Sequence, residues 1–332
     1  MKKIKYLFRC IKRLDVKNMF VIINNVSKKS KKNKFWIFID VIYCGLVYGA
    51  GYYDYQEFEF YLLSSKERKT YLTRVKNNMI VKKYNNPKDF YKFDDKGVFN
   101  ELFKEYLKRD YLVIDEKSFS AFKKFISKHK SFIAKPIDGD GGKGVEKIVI
   151  KDDTNLDEVF ASLILKKQLL LEEVITQHEK INELYDGAVN SLRLFTFFDG
   201  VNGYVLNSVF KLGNGGVTDN FSSGSMYTFT DDEGVVIVPA IDRNDDIYET
   251  HPITGKKITG FKVPFYKEAC EMVIKAAGVV NDVRYIGWDV AITPKGPVII
   301  EGNCFPGVFQ IKPHLAKEHV GLITKYKKYM DF

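Results

Sequence analysis

The sequence predicts an α+β protein, on three observations. Segments with the alternating period of half-buried strands are separated by short turn signals, so neighbouring strands run antiparallel. Stretches with the i, i+3, i+4 spacing of amphipathic helices lie between those segments rather than in one block. The first 80 residues contain no proline and few alternating runs, and they read as a mainly helical lead-in.

Asn85, Asn86 and Pro87 break the lead-in, and residues 94–97 punctuate it again. Phe99, Leu102, Phe103, Tyr106 and Leu107 then recur at helical spacing and predict one amphipathic helix. A short strand over 111–114 follows, then a helix carrying Phe119, Phe122, Phe125 and Ile126. Strands over 132–134 and 145–150 flank a glycine-rich turn at 138–144. A helix over 157–162 leads to a strand at 169–171. Strands over 192–198 and 203–210 enclose Asp199-Gly200, a hairpin signal. Residues 213–225 are rich in glycine and polar residues, long enough for a functional loop. A strand over 235–240, a helix over 264–277 and strands over 288–292 and 298–300 complete the pattern, the last two joined by Thr293-Pro294-Lys295-Gly296.

At 332 residues the chain is too long for one small core, so two or three compact units are expected. Its 45 % apolar and 28 % charged residues exclude a disordered tail, a collagen-like fibre and a disulfide miniprotein. The net charge of +10 is concentrated at the front. Residues 1–34 hold twelve Lys or Arg against Asp15 alone, so this arm carries +11 and the other 298 residues sum to −1. Such an arm attracts an anionic membrane surface or nucleic acid, and it also fits a plain solvated face. Cys10, Cys44, Cys270 and Cys304 are scattered without ligand spacing, which argues against zinc and for reduced thiols in the cytoplasm. Met19 to Ile23 is too short an apolar run for a signal peptide. Residues 36–50 contain Asp40 and fall short of the roughly 20 apolar residues of a span, so a buried helix is expected there.

Three groups of residues are suited to chemistry. In residues 135–145 the glycines let backbone N–H groups approach a phosphate chain, and Lys135 and Lys143 can neutralise it. The segment lacks the Walker and Rossmann spacings, so it reads as a phosphate lid on a hairpin, or simply a mobile hairpin. Asp289, within the strand 288–292, and Glu301 and Asn303, where the next strand closes, offer an oxygen-only site suited to Mg²⁺. Lys or Arg counter-charges would serve the same carboxylates. The apolar strand 169–171 ends in Glu172 and Glu173, whose backbone can pair with an adenine. Arg193 and Lys211 sit on the two strands of the predicted hairpin.

Taken in order, these pieces resemble the ATP-grasp superfamily of carboxylate–amine ligases, and within it the sugar-transfer-associated branch related to teichuronopeptide-biosynthesis proteins. The resemblance runs from Tyr43 to Gln310. It is most specific at YGAGYYDYQEFEFY (48–61), NSLRLFTF (190–197), KLGNGGVTDNFSSGS (211–225), HPITG (251–255) and GWDVAITPKGPVIIEGNCFPG (287–307). It implies an ATP-grasp fold: a basic, mainly helical region over 1–88, then two α+β subdomains, 89–180 and 181–332, clasping ATP.

The resemblance also implies roles. Lys96 and Lys135 would bind the α- and β-phosphates, with the loop containing Gly141, Gly142 and Lys143 closing over the β- and γ-phosphates. Glu172 would face the adenine amino group, Glu173 and Ile175 would offer backbone contacts, and Glu179 would bind the ribose, with Glu183 as its rival. Asp289, Glu301 and Asn303 look like Mg²⁺ ligands, Glu301 bridging two ions. Arg193, Lys211 and Asn220 resemble the catalytic groups that steady the γ-phosphate and an acyl phosphate. Lys211 stands where many relatives use arginine, and Ser225 where a glycine is expected. Cys304 reads as packing. The implied activity is ATP-dependent amide formation between a carboxylate and an amine, on a cell-surface polysaccharide or its sugar precursor. The basic arm would hold the enzyme at the inner membrane face. The alternative is a catalytically silent ATP-binding partner of a glycosyltransferase. A nucleic-acid partner lacks any interleaved basic–aromatic motif in the interior.

Overall fold

A computed structural model of the chain describes residues 15–139, 143–215 and 224–332. Gly141, Gly142, Asn220 and Cys10 lie outside the described residues. The fold is α+β, with a helical region ahead of two antiparallel sheets. The chain forms two compact units, residues 1–80 with 307–332, and residues 81–306.

In the first unit, helix α1 (Val16–Ser30) is capped by Asp15, whose carboxylate accepts from the Asn18 N–H at 3.1 Å. Helix α2 (Lys34–Tyr48) is capped by Asn33 and stops at Gly49, which takes the left-handed φ of +67°. Met19, Ile22, Ile23 and Val26 of α1 share a core with Ile37, Val41, Cys44 and Tyr48 of α2 and with Tyr55, Phe58, Phe60 and Tyr71. The expectation of a buried α2 is corrected: only one of its faces is buried, and Phe35, Trp36, Ile39, Leu46 and Val47 are exposed. Asp40, the acid that breaks the apolar run, accepts two 2.7 Å hydrogen bonds from Arg68 and a third from the Tyr55 hydroxyl. The segment 307–332 completes this unit. Gln310 bonds the Leu72 backbone in both directions, and Thr70 accepts from the N–H groups of Gly321 and Ile323.

In the second unit, helices α3 (Tyr91–Asp94), α4 (Lys96–Leu102) and α5 (Lys104–Leu107) precede a four-stranded sheet. Its strands are β1 (Tyr111–Val113), β2 (Ser131–Lys135), β3 (Glu146–Val149) and β4 (Leu170–Glu173), in the order β1-β4-β2-β3. Helices α6 (Phe119–Lys128) and α7 (Leu156–Leu165) cover one face, burying Phe122, Phe125, Phe160 and Leu163 against Phe132, Ala134 and Leu171. The one helix expected over residues 99–107 breaks at Phe103. That side chain is buried against Trp288, with ring centroids 5.2 Å apart.

After the one-turn helix α8 (Glu179–Asn182) come β5 (Ser191–Phe198), β6 (Gly203–Leu212), β7 (Met226–Phe229), β8 (Ala240–Ile241) and β9 (Ile247–Tyr248). Helix α9 (Tyr266–Ala277), β10 (Tyr285–Thr293) and β11 (Gly296–Asn303) follow. The second sheet has the order β11-β10-β5-β6-β7-β8-β9, antiparallel throughout. Leu192, Leu194, Phe210, Leu212, Trp288, Val290 and Ile299 form its apolar side, packed with Ala269, Val273 and Ala276 of α9. The strand expected over 235–240 is shorter: Val235 and Val236 make isolated bridges, and β8 begins at Ala240.

Candidate active site

Alternation along the strands of the second sheet sets the site. Side chains directly opposite each other share a face, as do those two apart. Asp289 of β10 pairs with Arg193 of β5 on one side and with Glu301 of β11 on the other. Lys211 of β6 lies opposite Ser191, two residues from Arg193, and Asn303 is two residues beyond Glu301. All five predicted residues therefore stand on one face. A bulge makes this so. The hairpin pairs Val290 with Ile299 and then Asp289 with Glu301, leaving Ile300 as the extra residue. In an unbroken ladder Asp289 would face Ile300, and Glu301 would point to the apolar side.

Asp289 is buried, and its Oδ1 lies 2.9 Å from Arg193 Nε and 2.8 Å from Lys211 Nζ. Burial alone would raise its pKa, but the two cations outweigh it and hold the carboxyl below its ordinary range. Glu301 goes the other way. Burial and the neighbouring Asp289 charge push it up. The Asn303 amide lies 3.5 Å from the Glu301 carboxylate. This corner has two facing carboxylates and an amide, with too little positive charge to satisfy Glu301. The donor set is all oxygen and fits a hard divalent cation. Gly287 makes room for Arg193, whose Nη1 donates to the Gly287 carbonyl at 3.2 Å. A Cβ at Gly287 would lie 3.0 Å from that nitrogen.

The first sheet supplies the opposite wall. Glu172 of β4 pairs with Ile133 of β2, so it shares a face with Lys135. Its buried carboxylate lies 2.6 Å from Lys135 Nζ and 2.9 Å from Arg109 Nη2, and it accepts from Asn100 Nδ2 at 2.8 Å. Burial opposes the charge, yet Arg109 and Lys135 bring the Glu172 pKa down to about 2. Desolvation pulls Lys135 below the usual lysine range. Lys96 follows the N-cap Asp95 of α4, and its Nζ donates to the Gly139 carbonyl at 2.6 Å.

These walls enclose a cavity of about 510 Å³. Lys96, Lys135, Lys143, Glu172, Glu173, Ile175, Arg193, Asp289, Glu301 and Asn303 all line it. Lys211 reaches it through Asp289. Glu179 and Glu183 are exposed at the two ends of α8, and neither belongs to the lining. Sequence reasoning missed Arg109, which also donates to the Ile299 and Ile300 carbonyls of β11 and so ties the two sheets together. Nothing local marks it; its partners lie 63 to 191 residues away. The HPITG segment packs against Gly213, the residue that follows β6. His251 is fully buried, stacks on Tyr185 at 5.2 Å and meets the Gly213 carbonyl at 2.8 Å, while Thr254 donates to Leu184.

Among solved structures the chain is similar to the ATP-grasp ligase PsnB complexed with minimal precursor, Mg and ADP, at 14 % identity and TM-score 0.40, over 75 % of this chain and 63 % of that one. It is also similar to the VanG D-Ala:D-Ser ligase from Enterococcus faecalis (14 %, TM-score 0.42, 71 % and 60 %). A third is the D-alanine–D-alanine ligase from Bacillus anthracis (14 %, TM-score 0.41, 71 % and 62 %). The chain spans about six-tenths of the length of these proteins. No curated protein matches it. Residues 75–320, which carry both sheets and every site residue described above, match the family model for sugar-transfer associated ATP-grasp, and the chain belongs to that family.

Proposed function

We propose that this protein is an ATP-dependent carboxylate–amine ligase. One observation carries the reading: Asp289 and Glu301 face each other beside Arg193 and Lys211, across the same cavity from Lys135 and Lys96. Two carboxylates set among four cations suit a polyphosphate held with a divalent metal. Asp289, Glu301 and Asn303 would hold Mg²⁺ through their oxygens. When bound, the metal neutralises charge on the phosphates. Lys96, Lys135 and the 139–144 loop bind the phosphate chain, and Glu172 keeps Lys135 extended towards it. Glu173 and Ile175 present backbone groups to the adenine; the ribose role expected of Glu179 or Glu183 is not carried over, because neither lines the cavity.

A substrate carboxylate attacks the γ-phosphate, giving an acyl phosphate and ADP; an amine then displaces phosphate and forms the amide. Arg193, Lys211 and Asn220 steady the charge on the transferred group. The work is positioning and electrostatics, with no side-chain nucleophile. The family's association with sugar transfer supports a cell-surface polysaccharide or its precursor as the acid, handled at the cytoplasmic side of the membrane beside a glycosyltransferase. The basic residues of 1–34 would draw the enzyme to that surface.

Thermal unfolding with Mg²⁺ and ATP tests the site. At about 100 times the dissociation constant, wild type should gain roughly 2.7 kcal/mol, a shift of several degrees, and Glu301→Gln should lose most of it. ADP release in a screen of uronic acids and amines then supports the ligase. Binding without ADP formation in any mixture would leave a silent nucleotide-binding partner. No shift at millimolar nucleotide would end both readings.

A further inference from the structure

The unit formed by residues 15–80 and 307–332 carries a surface that the ligase chemistry does not use. Helix α2 is apolar on two opposite sides. Ile37, Val41, Cys44 and Tyr48 face the core, whereas Phe35, Trp36, Ile39, Tyr43, Leu46 and Val47 face out. At about 100° per residue the outward set falls within an arc of about 120°, across the helix from the buried set. Trp36 is 68 % exposed, Phe35 62 % and Leu46 60 %. No charged side chain interrupts the arc. Asp40, the one acid of the helix, is engaged by Arg68 and Tyr55. A continuous apolar face of this kind marks an interaction site.

The surrounding chemistry selects the partner. The end of α1 and the turn into α2 carry Lys28, Lys29, Lys31, Lys32 and Lys34 with no acid among them, and Phe35 and Trp36 follow directly. Lys28, Lys31 and Lys34 are exposed. Phe20 and Val21 of α1 are exposed as well, and Phe20 stacks on Phe38 of α2 at 6.0 Å. Lysines rimming an aromatic and aliphatic face match anionic headgroups above an acyl boundary. At 15 residues α2 is about 22 Å long, short of a hydrocarbon core of about 30 Å. Among the described residues no helix is long and apolar enough to cross a membrane.

We propose that α2 lies in the plane of an anionic bilayer surface, with Phe35, Trp36, Ile39, Tyr43 and Leu46 in the acyl boundary and the 28–34 lysines among the headgroups. Electrostatic attraction of the basic arm then has an apolar anchor beside it. This needs no ligase turnover, so its failure and that of the ligase reading are separable.

The test uses the full chain with phosphatidylcholine vesicles, with and without phosphatidylglycerol. The chain has two tryptophans, and Trp288 is fully buried, so a change in emission reports Trp36. The expected result is flotation that depends on phosphatidylglycerol, a blue-shifted Trp36 emission and its quenching by brominated acyl chains. The Ile39→Glu/Leu46→Glu double variant should bind at least about tenfold more weakly, with unchanged circular dichroism. The milder Leu46→Ser should weaken binding in the same direction. Equal flotation by the variants, or flotation with unchanged Trp36 emission, would assign binding to the arm alone and overturn the proposal. A concentration-dependent dimer abolished by the double variant, without vesicle binding, would overturn it in favour of a second copy of this chain.

Discussion

Glu172 shows how much one side chain can organise. It is buried, and its two oxygens hold Lys135, Arg109 and Asn100 at 2.6 to 2.9 Å. Removing its charge would leave two buried cations facing each other with no counter-charge, a situation that costs about 3–5 kcal/mol. Glu172→Gln should therefore lower the unfolding free energy by about 3 kcal/mol in urea titration at neutral pH. It should also weaken the Mg²⁺–ATP thermal shift, because Lys135 loses the group that fixes it. A loss under about 1 kcal/mol would show that Arg109 and Lys135 find other partners. At this scale the sequence was partly legible. Asp289 and Glu301 stand out because acids placed on apolar strands demand a counter-charge. Arg109 does not stand out, since its role exists only once β4 and β11 are folded beside it.

Single residues reach the site through the geometry of their elements, and β10 is the decisive one. Its hairpin with β11 was legible, because Thr293-Pro294-Lys295-Gly296 is a turn signal between two apolar runs. The bulge at Ile300 was not, since periodicity gives a face and not the point where the ladder slips. The outward apolar face of α2 was also hidden. A helix that is apolar all round reads as buried, and nothing in its spacing tells which side meets the core. β7 escaped notice for a different reason: its pairing comes from β6 rather than from its own alternation. The strand itself offers a test. A Cβ at Gly287 would lie 2.9 Å from Pro306 Cβ and 3.0 Å from Arg193 Nη1. Gly287→Ala should cost about 1–3 kcal/mol through overpacking and displace Arg193 from Asp289. The measurable consequence is a smaller Mg²⁺–ATP shift than the stability change alone would give. A full-sized shift in the variant would mean that the guanidinium can be relocated without harm.

At the scale of the molecule, the first unit is closed by the far end of the chain, and a buried charge marks the closure. Glu59 is 1 % exposed, yet it sits within 3.0 Å of Lys29, 2.6 Å of His314 and 3.2 Å of the Tyr61 hydroxyl. Burial would raise its pKa, but the hydrogen bonds and charges of His314 and Lys29 prevail and bring it down to about 2. Its ordinary value is 4.5. A carboxylate with a depressed folded-state pKa contributes stability above its unfolded value. That contribution is lost as pH falls from about 4.5 towards about 2, and amounts to roughly 3 kcal/mol at neutral pH. Wild type should therefore lose urea resistance between pH 7 and pH 3. Glu59→Gln should start lower at pH 7 and lose less over the same interval, because the group that titrates is gone. The comparison separates Glu59 from the other carboxylates, whose protonation affects both proteins alike. Parallel pH curves for the two proteins would mean that His314 and Lys29 do not hold the charge. In that case the clasp of residues 307–332 onto the helices would rest on its other contacts, among them the backbone bonds of Gln310 and Thr70, the His319–Glu67 pair at 3.1 Å and the packing of Val308.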